Sequence, residues 1–179
     1  TSMFLHQPTS LWHILFNMMT LWCVGPVLER MMGHWPYLAL YMLSGLGGGA
    51  GLMVWAACSP SGWVTSAYGA SGALFGLFAA IVVVYRRIGI DIRSMLIWML
   101  INFLMPVIMP GIAWQAHVGG FIVGGVFAWL LVSGLRALRG RSLPCRTTVY
   151  GIVLLVAIVA IDVCCNMANP YAALAALIQ

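Results

Sequence analysis

Tyr68-Gly69-Ala70-Ser71-Gly72-Ala73-Leu74-Phe75-Gly76 carries the chain from an uncharged loop into an apolar helix with a serine at its mouth. Taken alone, such a serine is ordinarily structural, because Ser bonds back to its own helix or lets a neighbouring helix come close. Its weight here comes from three polar residues elsewhere, His13, Asn17 and His117, whose positions make them converge on it.

The surroundings of that stretch decide the fold class. With 63% hydrophobic and 6% charged residues in 179, the chain is far from a soluble domain, in which about 25% of residues are charged. Its apolar runs are too many and too long for a cleavable leader, so the sequence predicts an all-α polytopic membrane protein folded as one helical bundle. The formal charge of +5 comes from arginine with no lysine, and in a membrane protein such a balance reports orientation first. No basic patch with interleaved aromatics appears, so no nucleic-acid partner is expected. Cys23, Cys58, Cys145, Cys164 and Cys165 lack metal-ligand spacing and read as small buried or interfacial thiols, with no metal or other cofactor expected.

Six transmembrane helices are expected, over residues 11–32, 37–57, 71–85, 94–109, 116–135 and 148–165. A turn at Gly33-His34-Trp35-Pro36 separates the first two, and the glycine-rich run 44–51 marks the second as a packing helix. Pro106 and Pro110 are expected to kink or end the fourth. Threaded alternately through a bilayer, these spans put Arg30, Arg86, Arg87, Arg93, Arg136, Arg139, Arg141 and Arg146 on one side, whereas the connections 59–70 and 110–115 carry no charge. By the positive-inside rule the arginine side is cytoplasmic and residue 1 begins outside.

The first, third and fifth spans then run inward together, and their N-terminal ends share the outer leaflet. Those ends carry His13 and Asn17, Ser71, and His117. Polar groups at membrane depth are costly and usually mark a functional site. From Ser71 to Arg86 the helix rises roughly 22 Å against a hydrocarbon core of about 30 Å, so Ser71 lies a little below the outer surface. A hydrolytic serine there needs a water-filled cavity open to the outside, with the polar loop 59–68 as its lid. His117 is the candidate base, since histidine titrates near the operating pH. His13 and Asn17, at i and i+4 on one helix face, are candidate oxyanion donors together with the backbone N–H of Ser71. Each has a structural alternative, a buried histidine tied by one hydrogen bond or an interhelical polar clamp. Glu29 and Asp91 fall on the cytoplasmic side and Asp162 on the last span, which favours a Ser-His dyad. Ala73 stands where a nucleophile elbow would need glycine.

These residues resemble the rhomboid family of intramembrane serine proteases over nearly the whole chain. The likeness rests on His13-Ile14-Leu15-Phe16-Asn17, on Gly25 with Glu29 and Gly33, on Tyr41-Met42-Leu43-Ser44-Gly45, on Gly69-Ala70-Ser71-Gly72, and on Ala116-His117-Val118-Gly119-Gly120 with Gly124. The resemblance implies a rhomboid-like helical bundle with Ser71 as nucleophile and His117 as general base. It implies an oxyanion site from His13, Asn17 and the backbone of Ser71 and Ala70. Gly120 and Gly124 would let the His117 helix approach the Ser71 helix closely, Gly69 and Gly72 would have supporting places, and Phe75, one turn after the serine, would stack on the catalytic histidine. Two departures stand out. The family core begins with a helix and an embedded loop ahead of the His13 helix, so the chain is expected to be a fragment lacking the first core helix, with its own sixth span as an extra C-terminal helix. The spacing from His6 to His13 is also long for the family's paired histidines and leaves His6 a supporting role.

On this reading residues 1–142 form the catalytic core and 143–179 the extra helix and tail. The expected function is hydrolysis of peptide bonds in or near the transmembrane segments of membrane proteins, at the extracytoplasmic side of a bacterial plasma membrane. The partners are those substrates and the lipid bilayer. One rival is a non-catalytic rhomboid-like protein that binds membrane clients, against which retention of Ser71 and His117 counts. The other is a small transporter, whose ionisable groups would sit nearer the midplane.

Overall fold

A computed structural model describes residues 11–65, 67–108 and 112–171, without the side chains of 11–13, 60 and 106–108. His6, Pro110 and the apolar tail beyond residue 171 lie outside the described residues, as does the His13 side chain. Six α-helices follow in order: α1 (Leu11–Met32), α2 (His34–Cys58), α3 (Ser71–Ile88), α4 (Arg93–Ile108), α5 (Trp114–Ser133) and α6 (Leu143–Asn166). Short 3-10 turns at Pro60–Val64 and Arg136–Leu138 complete the described structure. The all-helical class expected from composition is therefore found. Among the described residues α2, α3, α5 and α6 are long and apolar enough to cross a bilayer. With 16 residues, α4 is shorter, and α1 carries Asn17, Glu29 and Arg30 along its described length.

Helix boundaries differ from the expected ones where a proline or a charge was read as a break. Only Gly33, at φ +87°, interrupts the chain between α1 and α2. Pro36 sits inside the first turn of α2, where its missing N–H has no intrahelical partner to lose. Pro144 likewise occupies the first turn of α6, which starts five residues earlier than the apolar run. The α4 helix continues through Pro106 to Ile108. At the other end of the bundle α3 closes on Gly89 in the left-handed conformation, with Arg86 and Arg87 in its last turn, where cations complement the helix dipole. Asp91 then caps the start of α4 by accepting the Arg93 N–H at 2.9 Å.

The centre of the bundle is α5 packed against α3 and α2, with α2 and α3 closing the triangle. Small residues make that possible, since without a hydrophobic drive between helices in lipid, close van der Waals packing holds them together. A Cβ on Gly48 would come within 3.0 Å of the Ala116 carbonyl and 3.4 Å of the Gly72 Cα, so three backbones meet there. Further along the seam, a Cβ on Gly120 would fall on the Gly72 carbonyl and one on Gly124 on Gly76. Outside the triangle, α1 rests on α3 and α2, α6 rests on α2 and α5, and α4 touches α3 and α5 sparingly.

Two polar side chains of α6 clamp it to the end of α5 and the residues just after it. The Arg146 guanidinium donates to the carbonyl oxygens of Leu130 (3.2 Å) and Leu131, and the Leu135 N–H donates to the Tyr150 hydroxyl at 2.9 Å. Of the two expected settings for the cysteines, buried or interfacial, the buried one is not found. Cys23, Cys58, Cys145 and Cys164 are exposed on the protein surface and Cys165 is half-buried, because the tight central seam is filled by glycine and alanine instead.

Candidate active site

Ser71 is the first residue of α3. Gly69, at φ +108°, turns the incoming chain, a conformation that glycine adopts without Cβ strain. Ala70, only 2% exposed, then caps the helix, and its carbonyl accepts the Leu74 N–H at 3.0 Å. The first N–H groups of α3 point out of the helix without intrahelical partners, as at any helix N-terminus. His117 is the fourth residue of α5 and is buried. Because Gly120 meets Gly72, the start of α5 lies against the start of α3 with backbones nearly touching.

This proximity brings Ser71 Oγ to 3.0 Å from His117 Nε2. In the tautomer protonated at Nδ1, the serine hydroxyl donates to Nε2, the arrangement a general base requires. The Phe75 ring lies stacked on the imidazole, with centroids 4.2 Å apart and planes at 16°. Phe75 also meets Phe103 of α4 edge to face at 4.5 Å, and Phe103 in turn meets Phe121 of α5 at 5.6 Å. An aromatic layer therefore backs the histidine, and sequence reading missed the α4 and α5 parts of it. On apolar helices Phe103 and Phe121 carry no signal that separates a site-facing from a lipid-facing ring.

Asn17 is buried on α1, a helix packed against α3. His13 lies one turn earlier in α1, which preserves the i, i+4 relation to Asn17. The three carboxylates are placed elsewhere. Glu29 pairs with His34 at 2.5 Å, Asp91 caps α4, and Asp162 lines a cleft with Met53, Val163 and Asn166. Among the described residues no group of three His, Cys, Asp or Glu side chains could hold a metal ion.

A second cluster missed from sequence lies at the head of α5. The Gln115 side-chain carbonyl, in the orientation that satisfies both donors, accepts from Trp55 Nε1 and Trp114 Nε1 at 3.3 Å each. The two indoles meet edge to face at 5.6 Å. The loop after α2 begins as the Pro60–Val64 turn packed on the end of α2, where Gly62 lies close against Ala56 and Trp55.

Comparison with known proteins agrees with this fold. The profile of the Rhomboid domain matches residues 1–134. The chain is 37% identical over 125 residues to the Bacillus subtilis rhomboid YdcA, an alignment covering 67% of this chain and 60% of that protein. It is 34% identical over 127 residues to rhomboid protease GluP of the same organism, covering 65% of this chain and 22% of GluP. Rhomboid protease AarA of Providencia stuartii is 28% identical over 156 residues, 73% of this chain and 55% of AarA. The chain thus spans less than two thirds of the length of these relatives. No solved structure matches at a significant level. With the profile covering three quarters of an apolar, all-helical sequence, the chain belongs to the rhomboid family of integral membrane proteins.

Proposed function

We propose that the chain carries the catalytic centre of an intramembrane serine protease, with Ser71 as nucleophile and His117 as general base. The observation that carries the reading is the 3.0 Å approach of Ser71 Oγ to His117 Nε2 between two helices otherwise lined by small and apolar residues. Ser71 Oγ attacks the scissile carbonyl carbon while its proton passes to His117 Nε2. The oxyanion that forms is met by the Ser71 N–H, with Asn17, His13 and the Ala70 backbone completing the donor set. Collapse of the tetrahedral species expels the amine, which takes the proton from His117. Water then attacks the acyl-serine by the same base and releases the acid.

The substrate class is the transmembrane segment of another membrane protein, cleaved near its extracytoplasmic end. The arginine asymmetry supports that orientation, in a bacterial plasma membrane. A helical substrate hides its carbonyls in its own hydrogen bonds, so helix-weakening residues near the cleaved bond favour attack. The names of the curated relatives GluP and AarA, both called rhomboid proteases, agree with this assignment.

The test is labelling by a fluorophosphonate probe in liposomes, on this chain and on a version extended upstream. Labelling that disappears in both Ser71→Ala and His117→Ala establishes an activated serine. A folded, extended protein that never labels and cleaves no membrane substrate overturns the assignment and leaves client binding as the function.

A further inference from the structure

Two cysteines that play no part in this chemistry lie near the same end of two packed helices. The α2 helix runs antiparallel to α5, since Gly47 faces Val123 and Gly51 faces Gln115. The α6 helix also runs antiparallel to α5, because its first turns are clamped to the last residues of α5. So α2 and α6 are parallel, and they pack along an extensive interface. Their register can be read directly. Gly151 stands opposite Leu43, and ten residues on, Met53 lines one cleft with Asp162 and Val163. Carried to the end of α2, that register brings Cys58, its last residue, level with the final turn of α6. Cys165 is half-buried in that turn, while its neighbour Cys164 is exposed. Cys58, Cys164 and Asp162 all lie within electrostatic range of the Cys165 thiol.

We propose that Cys58 and Cys165 form a reversible disulfide that staples α6 to α2. The two thiols lie near the same end of two parallel, packed helices, and a bridge requires their Cα atoms to come within about 7 Å of each other. Formation needs a disulfide oxidant. The exposed Cys58 thiolate attacks oxidised glutathione and releases one reduced glutathione. The Cys165 thiolate then attacks the Cys58 sulfur of the mixed disulfide and expels the second. Two thiols lose two electrons and two protons, and one glutathione disulfide becomes two thiols. With the arginine side cytoplasmic, this pair faces the extracytoplasmic compartment, where disulfides persist. The bridge would fix α6 against the helix whose glycines receive α5, and would anchor the end of α2 from which the loop to Ser71 departs.

The experiment uses the purified full chain in detergent, incubated with oxidised glutathione, alkylated with a maleimide and mapped by mass spectrometry. The oxidised protein is expected to lose the mass of two hydrogens and take up two fewer maleimides than the reduced form. A Cys58–Cys165 peptide should appear, and the thermal midpoint should rise by several degrees and fall back on reduction. The link should survive Cys164→Ser and vanish in Cys58→Ser and Cys165→Ser. A protein with a cooperative thermal transition whose two thiols stay fully alkylatable after oxidation overturns the proposal, and so does a bridge that maps to Cys164. Neither result bears on Ser71, whose reactivity the fluorophosphonate probe reads separately.

Discussion

Phe75 lies flat against the His117 imidazole, with ring centroids 4.2 Å apart and planes inclined by only 16°. Both residues stand close to the starts of their helices, so the stack fixes one face of the imidazole while Ser71 meets its Nε2 edge. Aromatic pairs of this kind contribute about 0.5–1.5 kcal/mol beyond the area they bury. Phe75→Ala should therefore slow fluorophosphonate labelling of Ser71 by roughly 2- to 10-fold, with Phe75→Tyr keeping most of the rate. Labelling kinetics measured at matched protein folding check this, and an unchanged rate in Phe75→Ala would show that the stack does not hold the base.

The close approach of α5 to α3 at Gly120 gives a sharper test. A Cβ on Gly120 would fall on the Gly72 carbonyl, whereas one on Gly49 meets nothing within 4 Å. Gly120→Ala must therefore push α5 away from α3, and overpacking of this kind costs about 1–3 kcal/mol. Labelling should drop more than about tenfold, since the displacement acts on the Ser71–His117 pair directly. Gly49→Ala, which adds the better helix former at an open position, should leave labelling unchanged and stability equal or slightly raised. Thermal melts of the two variants beside their labelling rates distinguish a local clash from general glycine sensitivity.

That seam also explains what could be read from the sequence. Polar side chains are costly in an apolar helix, so Asn17, Ser71 and His117 stood out, and small residues at regular spacing marked α2, α3 and α5 as mutual neighbours. What escaped reading depends on which side of a helix faces a neighbour. Phe103 reaches Phe75 from α4, yet it looks like any lipid-facing ring in sequence. Arg146 was counted with the cytoplasmic loop charges, but its guanidinium folds back onto α5 carbonyls from inside the first turn of α6. Pro36 reads as a helix breaker only if its place in the first turn of α2 is unknown.

The α6 clamp should be structural and not catalytic. Tyr150→Phe removes the partner of the Leu135 N–H, and Arg146→Ala leaves the carbonyls of Leu130 and Leu131 without their charged donor. The first should cost about 0.5–1.5 kcal/mol and the second about 1.5–3 kcal/mol. Both variants should melt earlier, Arg146→Ala more so, while labelling of Ser71 well below the transition stays near wild type, because α6 packs on α2 and α5. A loss of labelling at low temperature, with the fold intact, would mean that α6 controls the site.

Gln115 connects the head of α5 to α2 two residues before His117. Its side-chain carbonyl accepts from Trp55 and Trp114 at 3.3 Å each, and a Cβ on Gly51 would come within 2.5 Å of its backbone oxygen. The backbone contact sets how near α5 lies, and the side chain sets how firmly its first turn is held. Gln115→Leu keeps the volume but leaves two indole N–H groups without that acceptor, each such hydrogen bond being worth about 0.5–1.5 kcal/mol. The expected result is a shift in tryptophan emission together with labelling slowed by roughly 2- to 10-fold. Trp55→Phe, which removes one donor and keeps a ring against Trp114, should produce a smaller loss. If Gln115→Leu shifts the emission and leaves labelling untouched, the first turn of α5 is held by the glycine seam alone and the tryptophan pair serves the outer surface instead.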